Sequence, residues 1–114
     1  MKRFVLTLVL LTSSGIAFAH THLKSTVPQD GSTLQSAPKT ITLKFEGEVQ
    51  VTALSVIGAD GKEQKVAKLP EEKTATPVIA LPALNAGAYT VKWRAAGHDG
   101  HVISGQLKFS VDAK

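Results

Sequence analysis

Hydrophobic and polar residues alternate along most of the chain with the two-residue period that is typical of half-buried β-strands. The segment TITLKFE (40–46) alternates strictly, with three large apolar side chains on one face. The segments GAYTVKWRAA (87–96) and VISGQLKFSVD (102–112) repeat the pattern near the end of the chain. No stretch sustains the 3.6-residue period of an amphipathic helix. The pattern therefore predicts an all-β fold.

Turn signals divide this pattern into short strands at the spacing expected of a β-sandwich. QDGS and ADGKE mark turns, and Asp60-Gly61 is the strongest hairpin signal. The apolar phase shifts by one residue between Ala53 and Leu54, which predicts a β-bulge or bend. Tyr89 follows a glycine at the start of a late strand, as the corner tyrosine of Greek-key sandwiches does. The seven predicted strands are HLKSTVP, TITLKFE, VQVTALSVIG, KVAKL, PVIALP, GAYTVKWRAA and VISGQLKFSVD.

The first 19 residues, MKRFVLTLVLLTSSGIAFA, show the pattern of a secretory signal peptide. Two basic residues precede an apolar run, and Ala17 and Ala19 stand at the −3 and −1 positions of a cleavage site. The apolar run is shorter than the roughly 20 residues of a membrane span; a retained N-terminal anchor is the alternative. Cleavage after Ala19 leaves a single domain, residues 20–114, that begins with His20.

Composition narrows the chemistry open to this domain. The chain has no cysteine, and its single methionine is Met1, so residues 20–114 contain no sulfur ligand. Without Lys2 and Arg3, 11 basic and 9 acidic side chains remain, a net charge of +2. These charges are interspersed and aromatic residues are few, which gives no support to nucleic-acid binding.

All four histidines lie in two short patches, HTH (20–22) and GHDGH (97–101). In extended backbone, residues two apart point the same way, so Asp99 and His101 share a face while His98 points away. Such a pair can supply two ligands to one metal ion. The simpler alternative is an Asp–His hydrogen bond without any metal.

His20 strengthens the metal-site interpretation over the simple Asp–His hydrogen bond. Cleavage gives it an α-amine that can chelate a metal together with its own imidazole. With Asp99 and His101, the set has three nitrogens and one oxygen, which suits Cu(II) better than Zn²⁺ or Ca²⁺. A second possibility is local: His20, Thr21 and His22 could wrap Cu(II) with the amine, two backbone amides and the imidazole of His22. Direct roles for His22 and His98 remain open.

The mature start HTHLKSTVPQDGS, the ending GAYTVKWRAAGHDGHVISGQLKFSV and the strands between them resemble the periplasmic copper-resistance CopC family. The resemblance implies a seven-stranded Greek-key β-sandwich of immunoglobulin-like or cupredoxin-like character. It also implies one Cu(II) ion held by His20, Asp99 and His101, and an inner-membrane partner of the CopD type. Some members hold Cu(I) in a methionine-rich loop, which this sequence lacks.

Three functions are compatible with these observations. The first is a non-catalytic periplasmic Cu(II) binder that serves copper homeostasis or resistance as a chaperone or scavenger. The second is a copper oxidase, since oxidative polysaccharide-cleaving enzymes also use an N-terminal histidine; they need exposed aromatic residues, whereas Tyr89 and Trp93 are predicted to lie in the core. The third is a structural sandwich with incidental histidines.

Overall fold

The computed structural model describes residues 22–112, which form eight β-strands and no helix, so the prediction of an all-β fold is confirmed. Accordingly, this part of the chain has no helix able to cross a membrane. The predicted signal peptide, residues 1–19, and His20 lie outside the described residues. The strands are β1 (Leu23–Val27), β2 (Ser32–Leu34), β3 (Thr40–Phe45), β4 (Val49–Ile57), β5 (Glu63–Lys65), β6 (Val78–Ala80), β7 (Gly87–Gly97) and β8 (Val102–Val111).

The strands form two sheets, as the sandwich prediction requires. Sheet A has the order β1-β3-β6, and sheet B has the order β2-β8-β7-β4-β5. Phe45 of sheet A meets Trp93 of sheet B edge to face, with 5.3 Å between ring centroids. Burying one such large apolar side chain contributes about 1.5–3 kcal/mol, so the core between the sheets holds the fold without disulfides. The core residues are Ile41, Leu43, Phe45, Val49, Val51, Leu54, Val56, Ile79, Val91, Trp93, Ala95, Leu107, Phe109 and Val111.

The phase shift predicted in β4 is a β-bulge. The register of β4 against β7 slips between Val51 and Ala53. Before the slip, Val49 and Val51 are buried, and after it Leu54 and Val56 are buried. The extra residue lets one strand keep apolar side chains in the core on both sides of the bulge.

The hairpin predicted at Asp60-Gly61 is also present, but its returning strand differs from the prediction. The turn is closed by a hydrogen bond from Gly58 N to Lys62 O (3.1 Å), with Gly61 at a φ of 81°. Pairing therefore resumes at once, and β5 is Glu63–Lys65 rather than KVAKL. The exposed polar sequence of β5 gives no alternation signal, which is why the pattern places the strand two residues too late.

An eighth strand, β2, is absent from the sequence prediction. Its three residues pair with the end of β8, and this is the one parallel pairing among the strands of the described part. Gly31 N donates to Lys108 O (2.6 Å), and Lys108 N donates to Asp30 Oδ1 (2.7 Å). The contacts that order this segment join residues up to 78 apart in sequence, so a local pattern could not reveal the strand.

The corner-tyrosine role of Tyr89 and the core position of Trp93 are confirmed, whereas Tyr89 is half-buried beside the core rather than inside it. The Tyr89 hydroxyl donates to Asn85 O (2.6 Å), which is the contact of a corner tyrosine. Its ring stacks on Phe109 with 5.5 Å between centroids. Trp93 is 6% exposed and belongs to the core.

Candidate metal centre

A tight turn between β7 and β8 carries three of the candidate side chains. Gly100 N donates to Gly97 O (3.0 Å), and Gly97 N donates to His101 O (2.8 Å). Gly100 has a φ of 84°, which glycine adopts without a steric penalty. This pattern, a turn followed by a left-handed glycine, is a common three-residue hairpin connection. The sequence HDG thus fixes the backbone at the tip of the longest hairpin.

The turn brings Asp99 and His101 into direct contact. His101 Nδ1 lies 2.6 Å from Asp99 Oδ2, and His101 N donates to Asp99 Oδ1 (3.0 Å). Both side chains are exposed, His101 at 66% and Asp99 at 43%. The predicted pairing of these residues is therefore correct, although a turn produces it rather than extended backbone. The Asp–His hydrogen bond of the simpler interpretation is present as well.

This contact shapes the electrostatics of the pair. The side-chain hydrogen bond from His101, together with its backbone N–H, lowers the pKa of the Asp99 carboxyl. Asp99 is therefore an anion over a wider pH range than an ordinary aspartate. Each of its oxygens keeps a lone pair beside its hydrogen bond, and His101 Nε2 has no partner among residues 22–112. The pair can thus offer both oxygen and nitrogen to a cation.

The sheet topology brings His22 to the same end of the sandwich as this turn. His22 O accepts a hydrogen bond from Glu46 N (2.9 Å), just after β3 ends. Three residues later Val49 starts β4, and it pairs with Gly97 at the beginning of the turn. The start of β1 and the β7–β8 turn therefore belong to one end of the molecule, which we call the histidine end.

His98 and His20 are not part of the Asp99–His101 contact. His98 is exposed at the turn and forms no hydrogen bond with Asp99 or His101. His20 lies outside the described residues. Within residues 22–112, no three His, Asp or Glu side chains come close enough to hold a metal ion. The described part of the chain thus supplies two of the three predicted ligand residues.

Acidic residues that the sequence reasoning did not single out also collect at the histidine end. Glu46 and Glu48 lie in the β3–β4 turn. The Gln50 side chain donates to Glu71 O (2.8 Å), which ties the segment containing Glu71 and Glu72 to the start of β4. Lys73, which follows Glu72, offsets part of this negative charge, and the net negative charge that remains favours the approach of cations. Only the folded topology reveals this grouping, because the residues are far apart in the sequence.

Fold and site together define a class of protein: a two-sheet all-β sandwich with an exposed carboxylate–imidazole pair at the end where its first strand begins. The CopC domain matches this chain over residues 23–112. The chain therefore belongs to the CopC domain family, and the predicted family resemblance is confirmed.

Individual relatives agree with this assignment. Copper resistance protein C of Escherichia coli is 32% identical over 110 residues, covering 85% of this chain and 87% of the relative. The crystal structure of CopC from Methylosinus trichosporium OB3b superposes with a TM-score of 0.68 at 29% identity, covering 82% of this chain and 94% of that one. Copper transport protein CutJ of Bacillus subtilis (strain 168) is 27% identical; the match covers 97% of this chain but 22% of that longer relative.

Proposed function

We propose that this protein is a periplasmic Cu(II)-binding protein of copper homeostasis and resistance. The observation that carries the proposal is the Asp99–His101 pair, exposed on a turn that two backbone hydrogen bonds close at the histidine end. Membership of the CopC domain family supports copper as the cargo, as do the names of the copper resistance and copper transport relatives.

The proposed site holds one Cu(II) ion per chain. Its ligands are the α-amine and imidazole of His20, with Asp99 and His101. His22, two residues after His20, has its backbone fixed at the histidine end, which supports a site spanning the N-terminus and the turn. A set of three nitrogens and one oxygen matches the tetragonal preference of Cu(II).

The absence of sulfur argues against a second, cuprous site in residues 20–114. Cu(I) favours thiolate and thioether ligands, and this part of the chain contains neither cysteine nor methionine. The protein therefore binds copper in its oxidised state and releases it either unchanged or to a partner that reduces it.

Export and partner follow from the sequence and from one relative. The signal-peptide pattern of residues 1–19 supports export to the periplasm, and cleavage after Ala19 would free the amine of His20. The match to about a fifth of CutJ supports a membrane transport protein of the CopD type as the partner, because a related domain occurs there within a longer copper transport protein.

A binding role is favoured over an enzymatic one. Oxidative attack on a polysaccharide needs aromatic side chains on the surface beside the copper ion. In the described residues, Phe45, Trp93 and Phe109 are buried, and Tyr89 is half-buried against Phe109. The surface at the histidine end instead carries carboxylates and imidazoles, which suit the capture of a cation.

Native mass spectrometry of the exported protein, with and without Cu(II), tests the proposal. The expected result is a chain that starts at His20 and gains one copper ion, with nitrogen hyperfine structure in its electron paramagnetic resonance spectrum. A folded chain that binds no Cu(II) would refute the function. A chain that binds copper while keeping residues before His20 would refute the amine ligand alone.

A further inference from the structure

The outer face of sheet B, which points away from the core, contains an open cavity of about 770 Å³. Neighbouring positions of β4, β5, β7 and β8 line it, and the segment after β5 forms one side. We call it the basic trough. The side chains that concern us are Thr52, Lys65, Lys92, Arg94, Ser104 and Gln106.

Three cations converge on the basic trough. Ser55 of β4 pairs with Lys65 on one side and with Lys92 on the other, so the two lysines flank one position of the sheet. Arg94 follows two residues after Lys92 on the same face of β7. All three cationic side chains are exposed, and none forms a salt bridge within residues 22–112. Glu63 is the one carboxylate on the cavity wall, which leaves a net positive surface.

Uncharged groups in the trough suit a polypeptide ligand. Thr52, Ser104 and Gln106 are exposed and present hydroxyl and amide groups that can bind a peptide backbone. Val66 and Leu69 are half-buried at the side and offer apolar contact. An arginine fork that pairs with a carboxylate adds directional recognition.

We propose that the basic trough docks an acidic segment of a partner protein. The three cationic side chains have no anionic partner within the fold, so they are available to bind an anionic ligand. Complementary charge increases the rate at which such a partner associates and fixes its orientation. A recessed cavity accepts a chain segment, whereas a lipid bilayer presents a plane. Proteins that bind along a nucleic-acid backbone use more cationic contacts than the three in the trough, which argues against a nucleic-acid ligand.

The trough lies on the hairpin that carries the Asp99–His101 turn. Arg94 pairs with Ser104, and the turn begins after the next outward pair, Ala96 with Val102. Two residues of strand correspond to roughly 7 Å. A partner docked in the trough would thus sit beside the histidine end; its relevance to copper transfer rests on the proposed function, whereas the docking itself does not.

The test is a titration of the metal-free protein with a short acetylated and amidated peptide of alternating Glu and Ser, followed by NMR. Saturable amide shifts are expected within 52–55, 92–94 and 104–106. Neutralising two cations with K92Q/R94Q should weaken binding by about tenfold, and added salt should weaken it further. The matched control K39Q/K44Q removes the same charge from exposed positions outside the trough and should change affinity by less than about twofold.

Several outcomes would overturn the proposal. Absence of saturable shifts, or shifts centred on another surface, would refute the site. Equal losses in both double variants would show that net charge alone attracts the peptide. Tighter binding to phosphatidylglycerol vesicles, or to duplex DNA, than to the peptide would assign the trough to a different partner. Because no copper is present, none of these results bears on the proposed Cu(II) site.

Discussion

At the scale of single residues, two hydrogen bonds make Asp99 and His101 a unit. The sequence was sufficient to pair them, because a D-x-H spacing brings the two side chains together in more than one backbone conformation. It could not specify the turn, since Gly100 leaves several conformations open until strands β7 and β8 are paired. The role of His20 stays a prediction, because that residue lies outside the described part of the chain.

Removing either member of the pair should abolish tight copper binding. We expect His101→Ala and Asp99→Asn to weaken Cu(II) affinity on the order of a hundredfold or more, since each removes a proposed ligand. His98→Ala is the matched control on the same turn and should bind like the wild type. Competition titration against a Cu(II) chelator measures all three; equal affinity for His101→Ala and wild type would eliminate the proposed site.

Acidification should weaken Cu(II) binding. Nitrogen ligands must lose a proton to bind metal, so protons compete with the ion as the pH falls. The hydrogen bonds from His101 lower the pKa of Asp99, so its carboxylate persists to lower pH than that of an ordinary aspartate. Its contribution to turn stability is complete above the ordinary carboxyl pKa and disappears as pH falls through the lowered folded value.

An NMR titration of the Asp99 side-chain carboxyl carbon in metal-free protein tests the lowered pKa. The carbon should titrate at lower pH in the wild type than in the His101→Ala variant, which removes the side-chain hydrogen bond. Equal midpoints in the two proteins would show that the His101 contact does not persist in solution.

At the scale of secondary structure, alternation identified the long strands, missed β2 and placed β5 two residues too late. β3, β7 and β8 carry a clear two-residue period because one face of each is buried. β2 and β5 have three residues each, too few to show a period; β2 depends on a partner distant in sequence, whereas β5 returns from a hairpin with a polar, exposed sequence. β6 is equally short, but two prolines bound its apolar run and made it predictable. The bulge in β4 was predictable from the sequence. An extra residue in a strand shifts its buried side chains from odd-numbered to even-numbered positions, and the apolar residues of β4 show such a shift.

One position inside β8 is closed to any side chain. Gly105 pairs with Trp93, and a Cβ at Gly105 would lie 2.6 Å from Trp93 Cζ2 and 2.9 Å from Cε2. Gly105→Ala should therefore displace the buried indole and cost about 1–3 kcal/mol of unfolding free energy. Urea denaturation measures this cost; the neighbouring exposed Ser104→Ala should stay within about 0.5 kcal/mol of wild type. Equal stability of the two variants would mean that the sheet relaxes around the added methyl group.

At the scale of the whole molecule, the fold gathers functional groups that are remote in sequence. The start of the first strand and the tip of the last hairpin lie at the histidine end, so His22 and the β7–β8 turn share one region. Interspersed lysines and arginine likewise converge on one face of sheet B. Neither grouping follows from local pattern, because both depend on which strands become neighbours.

Extending the mature N-terminus should impair copper binding without changing the fold. A Gly-Ser extension ahead of His20 converts its amine into an amide and removes one proposed ligand, so Cu(II) affinity should drop by at least about tenfold. The same two residues added after Lys114 form the control. Thermal unfolding should be equal for both proteins, and undiminished copper affinity in the N-terminal variant would exclude the amine.

The burial of Trp93 gives the protein an internal optical probe. It is the sole tryptophan of the chain, and it packs against Phe45 inside the core, so its emission should be blue-shifted in the native state. A single fluorescence trace can thus follow unfolding without any added label.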